Sequence, residues 1–146
     1  MVNPSPDSSS PANDPIHPDG WKRGSGYSNG MLAPAGSRIL WVAGQVSWDA
    51  QQQLVGAGDL SAQFRQALEN VVSVVRTAGG KPEHLVEVTI YVTDKHAYVA
   101  QVRQIGAAWR EVVGRHFPAM ALVQVVALLE AGALVEIQAV AALPPG

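Results

Sequence analysis

The sequence lacks cysteine altogether, and it has neither a long apolar run nor a cluster of cations. Without cysteine there is no disulfide scaffold, no thiolate metal site and no cysteine nucleophile. No apolar run approaches the ~20 residues that a transmembrane helix needs, and the N-terminus lacks the basic-then-apolar pattern of a secretory signal. Ten Lys and Arg against twelve Asp and Glu give a net charge of −2, which argues against a nucleic-acid surface of clustered cations. We therefore expect a soluble, cytoplasmic protein whose partners are neither membranes nor nucleic acids.

The composition divides the chain into a tail and one domain. Residues 1–19 hold five of the ten prolines and very few large apolar side chains, too few to offset the entropy lost on ordering. From Gly20 onwards the composition is globular, and hydrophobic residues make up 47% of the 146 residues overall. We predict a disordered Pro/Ser-rich tail over residues 1–19 and a single domain over residues 20–146.

Hydrophobic periodicity predicts the element order β-β-α-β-α-β-β. A helix after Asp59 carries apolar residues at helical spacing, and a strand over Leu85–Thr93 alternates apolar and polar residues. Right-handed crossovers would place both helices on one face of a mixed sheet, which is an α+β fold. The other face would stay uncovered unless another subunit packs there, so we expect an oligomer. The other predicted elements are strands at 39–43, 45–48, 119–129 and 133–141 and a helix at 97–113.

Few residues carry a recognisable chemical role. The sequence has no phosphate-binding glycine motif and no HExxH, and its four histidines fit no metal-ligand spacing, so we expect neither a metal nor a cofactor. Glu136 stands out because it interrupts the apolar strand Leu134–Ile137. It is either a solvent-facing residue of an alternating strand or a carboxylate at a subunit boundary, where partial burial suits it for proton transfer.

Six short stretches, in their order and spacing, are similar to one family. They are Gly26–Gly30, Val42–Val46, Gln66–Val71, Val88–Asp94, Phe117–Ala119 and Ala133–Ile137. Along Gly26–Val140 the sequence resembles the RidA family (YjgF type, reactive-intermediate deaminases). The resemblance implies a chorismate-mutase-like fold, a homotrimer around a barrel-like sheet core, and ligand clefts between subunits. It also implies hydrolysis of enamines and imines, such as 2-aminoacrylate, to 2-oxo acids and ammonia without a cofactor.

The resemblance assigns site roles to five residues. Glu136 matches the family's catalytic carboxylate, Tyr27 the cleft tyrosine, and Gly44 the glycine whose backbone lines the pocket. Met120 and Leu122 are expected to bind the substrate, but deaminating members carry Arg at the position of Met120, where it pairs with the substrate carboxylate. A thioether cannot form that pair, so the sequence predicts an altered substrate specificity.

Three functions stay open from the sequence. The first is hydrolysis of an enamine, imine or related small molecule whose anchoring group is not a carboxylate. The second is non-catalytic binding of a small molecule or a protein. The third is ribonuclease or translation-inhibitor activity, which the net charge of −2 disfavours. If another cation holds a substrate carboxylate, the candidates are Arg38, Arg115 and Arg23.

Overall fold

The computed structural model describes residues 12–146, which form a four-stranded sheet, a two-stranded sheet and three α-helices. A short 3-10 helix at Pro82–His84 leads into the fourth strand. The elements are β1 (Asp14–Ile16), β2 (Gly30–Leu32), β3 (Arg38–Gln45), α1 (Leu60–Thr77), β4 (Leu85–Val92), α2 (Lys95–Ala100), α3 (Val102–Val112), β5 (Ala119–Gln124) and β6 (Val135–Leu143).

The larger sheet is mixed and has the strand order β3-β6-β4-β5. β6 runs antiparallel to both β3 and β4, whereas β5 runs parallel to β4. The two helical connections, α1 after β3 and α2–α3 before β5, therefore each join parallel strands. α1 and α3 pack together in one hydrophobic core with the sheet. The predicted α+β fold, a mixed sheet with its helices on one face, is confirmed.

The core lies between the sheet and the helices. Alternate residues of β4 and β6, among them Val88, Ile90, Val135 and Ile137, are buried, as the alternating pattern predicts. α1 covers them with the apolar stripe expected from the sequence, and burial of these side chains supplies most of the hydrophobic stabilisation. The fully buried residues of this α1 stripe include Phe64, Leu68, Val71 and Val75.

Asp59 caps the N-terminus of α1, as predicted. The Asp59 carboxylate accepts hydrogen bonds from the backbone N–H of Ala62 (3.2 Å) and from the Ser61 hydroxyl (3.0 Å). These two bonds lower the pKa of the Asp59 carboxyl, because they stabilise its charged form. The sequence therefore specifies this helix start through a local contact.

The prediction of one continuous helix over 97–113 is wrong. The helix is divided at Gln101 into α2 and α3. The Gln101 side chain accepts a hydrogen bond from the backbone N–H of Ser61 (3.2 Å), at the first turn of α1. This contact joins residues forty positions apart, so a periodicity argument has no access to it.

The predicted strand at 45–48 is also wrong. β3 continues to Gln45, and Trp48 makes only an isolated bridge to Leu54. Asn70 on α1 donates through Nδ2 to the carbonyl oxygens of Val46 (3.1 Å) and Trp48 (2.8 Å). A side chain on α1 therefore satisfies the Val46 and Trp48 carbonyl groups, and the Val55 backbone N–H donates to that of Ser47. Likewise, the run at 119–129 is a strand only as far as Gln124.

Part of the predicted tail is ordered against the domain. Residues 1–11 lie outside the described part of the chain, but Asp14–Ile16 forms β1 and pairs antiparallel with β2. Asn13 also donates through Nδ2 to the carbonyl oxygens of His84 (3.3 Å) and Ala142 (3.2 Å). Backbone pairing and one amide side chain hold this segment, so its low apolar content is a poor guide to its order.

No helix of residues 12–146 packs on the second face of the large sheet, here called the open face. The open face carries exposed apolar side chains of β3, with Trp41 74% and Ile39 42% exposed, beside polar residues of β4 and β6. None of the helices in this described part is long and apolar enough to cross a membrane.

Candidate functional site

Glu136 and Gly44 lie together on the open face. Glu136 is half-buried on β6, and its carboxylate rests against the backbone of Gly44. A Cβ atom at position 44 would overlap Oε1 of Glu136 and would lie 2.9 Å from Cδ. The pairing of β3 with β6 shifts register between Val42 and Gln45, so Gly44 sits in an irregular stretch of the strand. Only a residue without a side chain leaves room for this carboxylate.

Polar side chains from the central strands surround Glu136. Tyr91 of β4 is its direct partner in the ladder, and the Tyr91 hydroxyl donates to Oε1 of Gln138 (3.2 Å). Both residues share the open face with Glu136, because side chains alternate along each strand. Within residues 12–146, no group of three or more His, Asp or Glu is placed to hold a metal ion. The chemistry available here is that of a single partly buried carboxylate.

Tyr27 is fixed next to the start of β5. The buried Ser28 donates from its backbone N–H to the carbonyl of Pro118 (3.0 Å) and from its hydroxyl to the carbonyl of Phe117 (2.6 Å). The Tyr27 ring lies over Gly24, where a Cβ atom would overlap it. Two hydrogen bonds and one glycine therefore set the position of an otherwise exposed aromatic ring.

Met120 and Leu122 lie on the helix side of β5. Their ladder partners on β4 are Val88 and Ile90, which are core residues. Together with Tyr27 they line a cavity of about 410 Å³, which shares several lining residues with a second cavity of about 500 Å³ beneath α3. We call these two adjoining cavities the β5 groove, with an outer part at Tyr27 and Leu122 and an inner part under α3.

The five site residues predicted from the sequence thus form two groups. Gly44 and Glu136 meet on the open face, whereas Tyr27, Met120 and Leu122 meet in the β5 groove on the helix side. A sheet separates the two groups within one chain. A small ligand can therefore touch both groups only if they come from different copies of the chain.

Two residues of the β5 groove were missed in the sequence analysis as site residues. Tyr98 lies within the predicted helix over 97–113; its ring packs edge-on against Phe64 (centroids 6.4 Å apart, 71° between planes), and it lines both parts of the groove. Burial raises the pKa of its hydroxyl. Arg110 lines the inner part, with its guanidinium near Gly106 one helical turn earlier, and no sequence motif marks it as a site residue.

The arginines named as alternative anion binders lie elsewhere. Arg23 and Arg115 are not among the residues that line the β5 groove. Arg38 donates through Nε to the carbonyl of Pro144 (3.0 Å) and lines a separate cavity of about 740 Å³ near the C-terminal strand. Two of the four histidines, His84 and His116, line that same cavity.

Comparison with known proteins decides the family. Residues 23–143 match the family model described as Endoribonuclease L-PSP. The chain belongs to the RidA/YjgF family. Over 131 residues, 86% of the chain and 92% of the relative, it is 34% identical to Protein DfrA of Myxococcus xanthus. It is also 30% identical to a RutC family protein of Pyrococcus horikoshii, over 79% of the chain and 85% of the relative.

Solved structures confirm the chorismate-mutase-like fold of this RidA/YjgF family chain. The Rid protein YyfB from Yersinia pestis, described as of unknown function, superposes with a TM-score of 0.80 at 32% identity, covering 90% of this chain and 98% of YyfB. The YjgF protein of E. coli superposes with a TM-score of 0.61 at 27% identity, covering 80% of this chain and 87% of that protein.

Proposed function

We propose that this RidA/YjgF family protein is a cytoplasmic, cofactor-independent hydrolase that deaminates small enamines or imines. The observation that carries the proposal is the half-buried Glu136 carboxylate held against the side-chain-free backbone at Gly44. A carboxylate in this setting can take a proton from water and return it to a leaving nitrogen. The family resemblance supplies the reaction class, and the geometry supplies a proton carrier for it.

The reaction balances without a cofactor. Protonation of the enamine carbon gives the iminium ion, and water then adds to the iminium carbon. Glu136 would accept a proton from that water and pass it to the nitrogen. Collapse of the carbinolamine breaks the C–N bond and releases ammonia, the carbonyl product and the hydroxyl proton, which balances the proton taken up at the carbon. General acid–base assistance of this kind contributes typically ~10²–10⁴-fold to a rate.

We further propose that the active unit is a homotrimer with its ligand clefts between subunits. The two groups of site residues lie on opposite sides of the sheet, so one subunit would supply Glu136 and Gly44 and its neighbour would supply Tyr27, Met120 and Leu122. The exposed Trp41 on the open face supports this assembly, because monomers rarely leave such apolar surface uncovered.

Met120 sets the proposed specificity. An apolar thioether offers a substrate carboxylate no charge-assisted hydrogen bond. Such a bond is worth about 1.5–3 kcal/mol, or roughly 10–100-fold in affinity. Substrates that carry the carboxylate on the reacting carbon, such as 2-aminoacrylate, should therefore be poor ones.

Imine hydrolysis tests this proposal. Ammonia release is measured with 2-aminoacrylate generated in situ and with a neutral aryl ketimine, each against the uncatalysed rate. We expect acceleration with the ketimine, little with 2-aminoacrylate, and loss of the acceleration in Glu136→Gln. Glu87→Gln removes another carboxylate from the open face and should keep the activity. A wild type that binds ketimines without hydrolysing them would instead favour the non-catalytic alternative.

A further inference from the structure

We propose that Arg110 binds a carboxylate at the inner end of the β5 groove, remote from the reacting carbon. The ligand class is then an elongated monocarboxylate, with an apolar body between its reacting end and its anionic end. This inference rests on the proposed function for the identity of the reacting end. The binding of the carboxylate itself does not depend on catalysis.

The backbone of α3 directs the Arg110 side chain into the groove. Side chains on a helix lean toward its N-terminus, so Arg110 extends over the preceding turn. Gly106 occupies that turn, and a Cβ atom built there would lie 3.5 Å from Nη1 of Arg110. The guanidinium therefore lies along the helix above Gly106, and both residues line the inner cavity. A larger side chain at position 106 would take this space.

Arg110 has unused capacity to bind an anion. Among the described residues that line the β5 groove, it is the one charged side chain. Both ion pairs found in residues 12–146 are made by Arg65, one of them with Glu111, the residue after Arg110. The neighbouring carboxylate is thus drawn toward α1. An incoming carboxylate could form the bidentate pair that guanidinium groups favour.

The remainder of the groove suits an apolar body. The inner part contributes Val102, Ile105 and Trp109, and the stretch between Arg110 and Tyr27 passes Met120. A ligand with its carboxylate on the reacting carbon would place that charge beside Met120. A ligand with the carboxylate at the far end would cover the apolar wall and reach the guanidinium. These contacts therefore select ligands by the position of their carboxylate.

Direct binding of unreactive probes tests the site. Hexanoate and its uncharged analogue hexanamide are titrated into the full-length protein by calorimetry. We expect hexanoate to bind more tightly than hexanamide, and Arg110→Gln to weaken hexanoate roughly 10-fold or more while leaving hexanamide unchanged. Arg103→Gln is the matched control, because Arg103, like Arg110, is an exposed arginine of α3 but lies outside the groove lining, and it should change neither affinity.

Charge reversal separates an anion site from a merely structural role. Arg110→Glu should lose hexanoate and gain affinity for hexylammonium, which the wild type binds poorly. The inference is overturned if hexanoate binds no more tightly than hexanamide, or if Arg110→Gln leaves its affinity unchanged.

The two proposals fail in different ways. Glu136→Gln should bind hexanoate like the wild type, since hexanoate has no imine carbon for the neighbouring subunit's Glu136 to act on and its charge lies at the Arg110 end of the groove. With a ketimine carrying a carboxylate at the end of an apolar chain, Arg110→Gln should raise KM about 10-fold at unchanged kcat. If no imine is hydrolysed while the Arg110 dependence of hexanoate binding persists, the hydrolase proposal falls and the carboxylate site stands.

Discussion

Met120 places an uncharged, flexible side chain in the outer groove, between Tyr27 and Leu122. Met120→Arg puts a guanidinium there and should raise 2-aminoacrylate hydrolysis about 10-fold or more, because it supplies a charge-assisted partner near the reacting carbon. Glu136→Gln in the same background should abolish the gain. Met120→Leu keeps the position apolar and serves as the control. If the wild type already hydrolyses 2-aminoacrylate, at a rate that Met120→Arg leaves unchanged, another cation must bind this carboxylate.

His84 is the residue whose titration should be visible in stability. Burial, the largest cause, lowers its pKa below the usual 6.5; the charges of Lys81 and His116 add to this, and Glu83 opposes it. Its Nδ1 also accepts a hydrogen bond from the Lys81 backbone N–H (2.9 Å), which protonation would break. The folded state thus binds a proton less readily than the unfolded state. The resulting stability is present above pH 6.5 and is lost as the pH falls through the lowered pKa.

Melting temperature between pH 7.5 and 5 measures this effect. His84→Gln keeps an acceptor for the Lys81 N–H but cannot titrate, so its melting temperature should fall less steeply toward low pH than that of the wild type. His96→Gln, an exposed histidine on α2, should leave the wild-type slope unchanged. Identical slopes for His84→Gln and wild type would rule out His84 as the source.

At the scale of elements, the sequence pattern predicted the features that neighbouring residues determine. The alternation over β4 and β6 and the N-cap at Asp59 are properties of neighbouring residues, and the structure confirms all three. The break at Gln101 and the pairing of β1 depend on contacts far apart in the sequence. Periodicity contains no information about them.

The candidate site was predicted only as a set of residues. Family resemblance named Glu136, Gly44, Tyr27, Met120 and Leu122, and the fold brings Glu136 to Gly44 and Tyr27 to Met120 and Leu122. It did not reveal that these two groups lie on opposite sides of a sheet. Arg110 was missed because its place in the groove depends on how α3 packs over β5, and no short motif marks it.

The Gln63 side chain fixes the segment that leads into β6. It is fully buried; its Nε2 donates to the carbonyl oxygens of Gly56 (3.2 Å) and Gly132 (3.1 Å), and its Oε1 accepts from the Leu134 N–H (2.8 Å). Gln63→Leu leaves three backbone groups without this partner and should lower the free energy of unfolding by about 3 kcal/mol.

Urea denaturation checks that value. Gln104→Leu makes the same chemical change at an exposed position of α3 and should alter stability by less than about 0.5 kcal/mol. Because Leu134 leads directly into Glu136, Gln63→Leu should also lower imine hydrolysis at temperatures where the protein is still folded. A loss of stability no larger than that of Gln104→Leu would contradict the role assigned to Gln63.

The whole molecule combines an uncovered sheet face with a site divided between the two sides of that sheet. Trp41 exposes most of its indole on the open face, close to the strand that carries Glu136. A second copy of the chain that covers this face would bury apolar surface and would bring its β5 groove close to the Glu136 carboxylate. We expect trimers by light scattering at micromolar concentration, with each pairwise contact burying more than ~1,000 Å².

Mixing two inactive variants tests whether the site is shared between subunits. Glu136→Gln lacks the carboxylate, and Tyr27→Ala lacks the cleft tyrosine, so each homotrimer should be inactive. In mixed trimers some clefts combine the intact Glu136 of one subunit with the intact Tyr27 of its neighbour. With equal amounts and random assembly after co-refolding, roughly one cleft in four should be active. Activity is measured as ketimine hydrolysis, with the unmixed variants refolded in parallel as controls. A mixture that stays inactive, although light scattering shows mixed trimers, would mean that each site lies within one subunit.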